Sequence, residues 1–314
     1  MTDHLHATLH TDPACPWAYS EIPALQVLRW RYGAQLDWRL VVIGLSERPR
    51  QQTDPSYTPE RAVSNFLSYR RFGMPFSLQP KARGAASARA CRALIAARRL
   101  EPGSEWPALR ALQLAQFSSP LLLDDDPHLV RVVSAATGHD AGQLRDMLDS
   151  DEVSADYAAD KAEARSAAGK ASELQGKTTV SDGRVRYTAP SLVFTRGDRE
   201  LEAGGFQFVE AYDVLIANLD PTLERRPAPH DPAELLAAFP HGLTTQEVTA
   251  LLVASNDSPD RPAAEAALMG LLADGRAARV PVGDSAIWAE PGTIDWSRNV
   301  LEAAFDTHSV GAAV

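Results

Sequence analysis

The sequence predicts an α/β fold followed by a smaller α+β domain, and three observations carry that expectation. A strand–helix–strand unit opens the chain, a block of helices runs from residue 58 to about 175, and a hairpin with a final helix completes the first domain by residue 220. A stretch dense in proline and charge, "DPTLERRPAPHDP" (Asp220 to Pro232), then separates a second unit.

The opening strand shows as alternation: Leu5, Ala7 and Leu9 fall on one face and His4, His6, Thr8 and His10 on the other. After the Asp12-Pro13 break, Trp17, Ile22, Leu25, Leu28 and Trp30 recur at near-helical spacing, and Gly33 supplies a stop. Leu36 to Leu45 then reads as a buried strand. Cys15 therefore falls at the first turn of a helix. The segments from Thr58 to about Lys170 begin with Thr or Asp ahead of apolar runs and are parted by Pro or Gly. Two runs of β-forming residues flank Arg196-Gly197-Asp198, a turn signal at hairpin spacing. Phe208, Tyr212, Leu215, Ile216 and Leu219 line one face of the helix that follows.

Residues 221–232 read as a linker and 233–292 as a second domain. Three helical segments precede two short β-like runs around Gly283, the parts of a winged-helix module, and residues 293–314 read as a peripheral tail. Its third helix, "DRPAAEAALMGLLADGR", offers Arg261 and Arg276 but is otherwise Ala- and Leu-rich, which favours packing or a dimer contact over DNA.

With 314 residues, 45% hydrophobic and 23% charged, the chain has room for about two domains with real cores. A formal net charge of -10 disfavours nucleic acid and anionic lipid as partners. No segment approaches a membrane span and the N-terminus lacks a signal-peptide pattern, so a cytoplasmic protein is expected. Two cysteines, Cys15 and Cys91, are too few for a disulfide scaffold and suggest thiol chemistry instead. His4, His6 and His10 share a strand face without a convincing set of metal-ligand partners, and read as solvated or packed side chains.

The order βαβ, helical insert, ββα, with Cys15-Pro16-Trp17-Ala18 at the first strand–helix junction and "TAPSLVF" (188–194) opening the hairpin, resembles the thioredoxin fold of the DsbA-like family. "TDPACPWAY" (11–19) is similar to the active-site segment of its cytosolic, FrnE-type thiol oxidoreductases. The resemblance implies a central mixed sheet, a cis-proline at Pro190 packed against the active-site cysteine, and substrate held by Pro16, Trp17, Ala189 and Pro190. Ala18 stands where dithiol members carry a second cysteine. What the family pattern leaves is a single-cysteine cycle, in which Cys15 exchanges with a protein thiol or with a low-molecular-weight thiol such as glutathione or mycothiol as co-substrate, with no tightly bound cofactor.

A helix N-terminus favours the thiolate, so a lowered Cys15 pKa is expected. Cys91, flanked by Leu94 and Ile95, reads as a buried, inert thiol rather than a resolving one. Three other uses of the same site stay open: a glutathione-type isomerase or transferase whose acceptor pocket Trp17 and Tyr19 would line, a redox-responsive regulator, and an inactive binding module. The oligomeric state is also open, a homodimer among the options.

Overall fold

Residues 4–48, 58–77, 79–254 and 257–305 are described in a computed structural model of the chain. Strands β1 (Leu5–Thr11) and β2 (Leu36–Val42) lie parallel, Leu5 opposite Leu36 and Leu9 opposite Leu40. Between them run two helices, α1 (Pro16–Ser20) and α2 (Ile22–Tyr32), where the sequence pattern reads as one. The break has a local cause: Pro23 has no N–H to give to the carbonyl four residues back. Helix α2 is covered on both sides. Leu25, Leu28 and Tyr32 pack on the sheet, while Val27 and Trp30 join the core of the C-terminal domain.

The insert comprises α3 (Pro59–Tyr69), α4 (Ala88–Leu100), α5 (Glu105–Ser118), α6 (Asp126–Thr137), α7 (Ala141–Leu148), α8 (Asp151–Ala164) and α9 (Ala171–Leu174). The Thr and Asp residues at the read helix starts do cap: Thr58, Asp125 and Asp140 accept from the backbone N–H groups of Arg61, His128 and Gln143, and Ser150, which the sequence pattern does not mark as a helix start, accepts from Val153 N. An alanine-rich core lets α4 pack closely against α5, α7 and α8.

Next comes a hairpin of its own, β3 (Thr178–Ser181) and β4 (Arg184–Tyr187), which turns at Asp182 and Gly183, both at positive φ (54° and 72°). Two left-handed residues make the tight primed turn that Asp-Gly favours. This hairpin is separate from the one at Arg196-Gly197-Asp198 that the sequence predicts. The Ala189–Pro190 peptide bond is cis, and β5 (Ser191–Arg196), β6 (Arg199–Gly204) and α10 (Val209–Leu219) follow. Strand order β2-β1-β5-β6, with β5 antiparallel to both neighbours, gives the expected mixed sheet.

The linker is strapped to α2, where the Trp30 indole donates to Pro227 O at 2.8 Å and Arg226 stacks on the Trp30 ring. The C-terminal domain holds α11 (Pro232–Ala238), β7 (Leu243–Thr244), α12 (Thr245–Leu251), α13 (Arg261–Ala273), β8 (Ala278–Val282) and β9 (Ser285–Ala289). Its sheet has three strands, β7-β9-β8, one more than the expected ribbon, because Leu243 and Thr244 pair with Trp288 and Ile287. The reading of 293–314 as a peripheral tail is corrected. Residues Ile294–Phe305 form α14, which packs on α5, α6 and β8, with the Trp296 indole donating to Ala136 O at 2.9 Å. Its apolar face, Val300, Ala303 and Ala304, completes the insert's core. Residues 306–314 of that predicted tail lie outside the described residues.

Candidate active site

The turn after β1 delivers Cys15 to the N-cap of α1. Asp12 O accepts from Cys15 N at 3.0 Å, and Cys15 is extended (φ -84°, ψ 116°) before Pro16 starts the helix. Its thiol donates to Ala189 O at 3.0 Å, on the peptide bond that is cis to Pro190. Four of the five predicted site residues, Cys15, Pro16, Ala189 and Pro190, thus converge on one contact between the α1 start and the β5 start.

The expected low thiol pKa is not what the surroundings give. Cys15 is 5% exposed, among Ala18, Val41, Ile43, Ala164 and Ala189. Burial pushes its pKa up to about 12; the Ala18 backbone N–H pulls down, the Asp12 carboxylate pushes up, and the Trp17 N–H and Arg186 pull down. Desolvation of a full negative charge outweighs two amide dipoles.

Asp12 ties the site together from beneath. Fully buried, it accepts from Ala14 N (2.9 Å), Leu45 N (2.8 Å) and Ser87 Oγ (2.8 Å), so one carboxyl joins the β1–α1 turn, the segment after β2 and the N-cap of α4. Burial raises its pKa, and these donors offset part of that rise. Cys91, also fully buried, directs its thiol to Asp12 Oδ2 at 3.6 Å. Both cysteines are free thiols.

Trp17 is 36% exposed and carries the site to the surface. It packs edge-on against Tyr69 and tilted against Phe72 and Phe206, with Phe208 beyond them 71% exposed. Tyr19, weighed with Trp17 as a pocket residue, is instead core: it is 0% exposed, stacks on Phe117 and donates to Pro75 O.

A family model for the DSBA-like thioredoxin domain matches residues 8–168. The chain belongs to that family. Among solved structures, a candidate protein disulfide isomerase from Nitrosomonas europaea is similar at 18% identity, with a TM-score of 0.53, covering 69% of this chain and 97% of that one. A probable DsbA oxidoreductase from Streptomyces coelicolor is similar at 16% identity and a TM-score of 0.52, covering 70% and 91%. The cytosolic disulfide reductase DsbM from Pseudomonas aeruginosa, also solved with GSH, matches at 20% identity and a TM-score of 0.48, covering 69% and 98%. A comparison with curated proteins returned no match.

For a DSBA-like chain, two features of this site were not read from sequence. One is the aromatic ring around Trp17, whose members come from three distant segments. The other is Glu21, buried at the α1–α2 break, which accepts from Gln207 N at 2.9 Å and from the Tyr212 hydroxyl and so ties the active-site helix to the entry of α10. Burial pushes its pKa up to about 8.

The histidines do not converge. His6 pairs with Asp37 at the surface, while His10 is 2% exposed and stacks on Tyr187. In the winged-helix-like domain, Arg261 at the start of α13 donates to Gly73 O and Ser285 Oγ, and Arg276, just past its end, to Asp231, so both arginines are held by this chain's own groups. Among the described residues no helix is long and apolar enough to cross a membrane.

Proposed function

We propose that this DSBA-like protein carries out thiol–disulfide exchange with Cys15 as its one nucleophile and a low-molecular-weight thiol of the glutathione or mycothiol type as co-substrate. The observation that carries the reading is the Cys15 Sγ contact to Ala189 O, which sets the sulfur beside the backbone of the cis-proline segment.

The resting thiol is neutral and occupied. An incoming disulfide that pairs with the 188–190 backbone takes over the Ala189 carbonyl, and the freed sulfur loses its proton as it attacks. Cys15–SH and RS–SR′ give Cys15–S–SR and R′SH, the thiol proton leaving on R′S⁻. A second thiol, R″SH, then attacks Cys15–S–SR, releasing RS–SR″ and restoring Cys15–SH. With Ala18 in place no internal thiol completes the second step. Because the cycle consumes a free thiol, it belongs in a reducing compartment, in keeping with a cytoplasmic protein. Trp17 and Phe206 offer an apolar platform for the substrate beside the sulfur.

The burial of Cys15 favours one further reading, an isomerase or transferase in which a bound glutathione supplies the thiolate and Cys15 only donates a hydrogen bond. Incubation with glutathione disulfide followed by mass spectrometry separates the two. A glutathione adduct on Cys15 and not on Cys91, reversed by excess glutathione and lost in Cys15→Ser, is the expected result. Absence of any adduct in the folded protein, when the unfolded chain reacts at both cysteines, would remove the nucleophile.

A further inference from the structure

Directly behind Ala18 and Pro190 lies a cavity of about 130 Å³. By the same measure one water needs about 10–15 Å³, so the space holds several waters or one small molecule. It is enclosed by α2, α5, β1 and residues 239–242 of the C-terminal domain.

Some of its polar groups are spent and others are not. Arg110 is committed, through a bidentate pair with Glu247 (2.6 and 2.9 Å) and a bond to Gly242 O. Glu247 in turn receives Gln26 and Thr244 N, so its acceptor capacity is used. Arg29 therefore has no carboxylate left to it. Its guanidinium carbon lies 4.6 Å from the Trp106 ring centroid and 5.5 Å from that of Trp38, two rings set edge to face, and among the described residues it makes no hydrogen bond or ion pair. Across the cavity Gln113, only 3% exposed, has no side-chain hydrogen bond among the described residues. Burial, followed by Arg110, brings the Arg29 pKa down to about 10, which still leaves it charged at neutral pH.

The other wall is apolar. Ala18, Ile22 and Leu25 precede Arg29 along nearly continuous helix, so the lining runs from methyl groups at the active-site end to a cation about three turns away. Arg29 and Phe239 also line a larger surface cleft of about 730 Å³ that carries Arg31, Arg225 and Arg226 beside Glu224; Arg31 and Arg225 share Asp213 and Arg226 faces Glu234, so the approach to Arg29 keeps only a small positive excess.

We infer that this cavity is a binding site for a small aliphatic carboxylate, its carboxylate held by the Arg29 fork and the Gln113 amide and its tail pointing toward Ala18 and Pro190. A guanidinium set against aromatic rings and with no hydrogen-bond partner has its N–H groups free for the paired in-plane bonds a carboxylate accepts. A charge otherwise unmatched in a partly dry space gains its counter-charge, and the apolar wall gains a tail. The site is independent of the thiol chemistry, and Cys15→Ser retains it.

The test is titration calorimetry on the full chain with acetate, butyrate and phosphate, each against sodium chloride at equal ionic strength. Saturable one-to-one binding of butyrate, tighter than acetate and at least tenfold tighter than phosphate, is expected in wild type and in Cys15→Ser. Arg29→Met, which keeps the stacked stem, weakens butyrate at least tenfold. If that variant does not fold, Ala18→Val reads the other end: it narrows the apolar wall and weakens butyrate more than acetate. Absence of saturable butyrate binding, phosphate binding as tightly as butyrate, or undiminished affinity in folded Arg29→Met overturns the assignment.

Discussion

The Cys15 thiol donates a hydrogen bond to the Ala189 carbonyl at 3.0 Å, so the group that would attack and the backbone that would receive substrate occupy each other at rest. With the pKa pushed up to about 12 by burial, about one thiol in ten thousand is ionised at pH 8. Iodoacetamide has no backbone to compete for Ala189, so its reaction with Cys15 at pH 8 should be on the order of a hundredfold slower than with free cysteine. The rate should still be climbing with pH above 10. Rapid labelling at pH 7, absent in Cys15→Ser, would show the resting thiol to be open and ionised.

Ala18 lies one helical turn past Cys15 on the same face of α1, and is 2% exposed. Ala18→Cys should therefore restore a dithiol: in a glutathione redox buffer the two thiols at 15 and 18 disappear together as an internal disulfide. Reduction of insulin by this variant should exceed wild type by at least about tenfold, because the second thiol resolves the mixed disulfide without a diffusing partner. A variant that folds but accumulates only the glutathione adduct would show that the site cannot use a second sulfur.

Glu21 predicts a pH dependence of stability. Its folded pKa of about 8 lies above the ordinary glutamate value of about 4.5, and it is 1% exposed. The unfolded state therefore releases this proton first as pH rises. The stabilisation is complete below about pH 4.5 and is lost progressively up to about pH 8, by about 1.4 kcal/mol for each pH unit crossed. Urea unfolding at pH 5 and pH 8 should show wild type losing a few kcal/mol more than Glu21→Gln across that interval. Parallel pH profiles for the two proteins would place the carboxylate in a better-solvated setting than the hydrogen bonds to Gln207 and Tyr212 describe.

What was legible in the sequence is what neighbours in the chain decide. The alternation of Leu5, Ala7 and Leu9, the caps at Thr58, Asp125 and Asp140, and the Cys15 position at a helix start are local, and each stands in the structure. The Asp182-Gly183 turn was equally local and went unread. The sign of the Cys15 pKa was not legible, because the residues that desolvate it, Val41, Ile43 and Ala164, come from β2 and α8. The same holds for the ring around Trp17, whose rings arrive from α3, the turn after it and the exit of β6. Asp12 read only as a break before Pro13, since nothing near it in sequence announces that Leu45 and Ser87 will donate to it.

One join between the two domains is the pair of Arg110 in α5 and Glu247 in α12, with side chains 9% and 0% exposed. Burial pushes the Glu247 carboxyl up, yet Arg110 and the Thr244 donors more than reverse it, and its pKa ends below the usual carboxylate value. Such a pair is worth little against an apolar replacement of both partners, but much against the loss of one, since the survivor is left charged and dry. Arg110→Met should cost about 3–5 kcal/mol in urea unfolding. Glu247→Met should cost at least as much, because it also removes the acceptor that caps α12 through Thr244 N and leaves Arg110 facing Arg29. The double variant should recover most of the loss, falling short of wild type by roughly the 1–2 kcal/mol of the missing cap. If the two single costs simply add in the double variant, the pair does not act as a unit, and the join between the domains rests on the packing of Val27 and Trp30 against α12 instead.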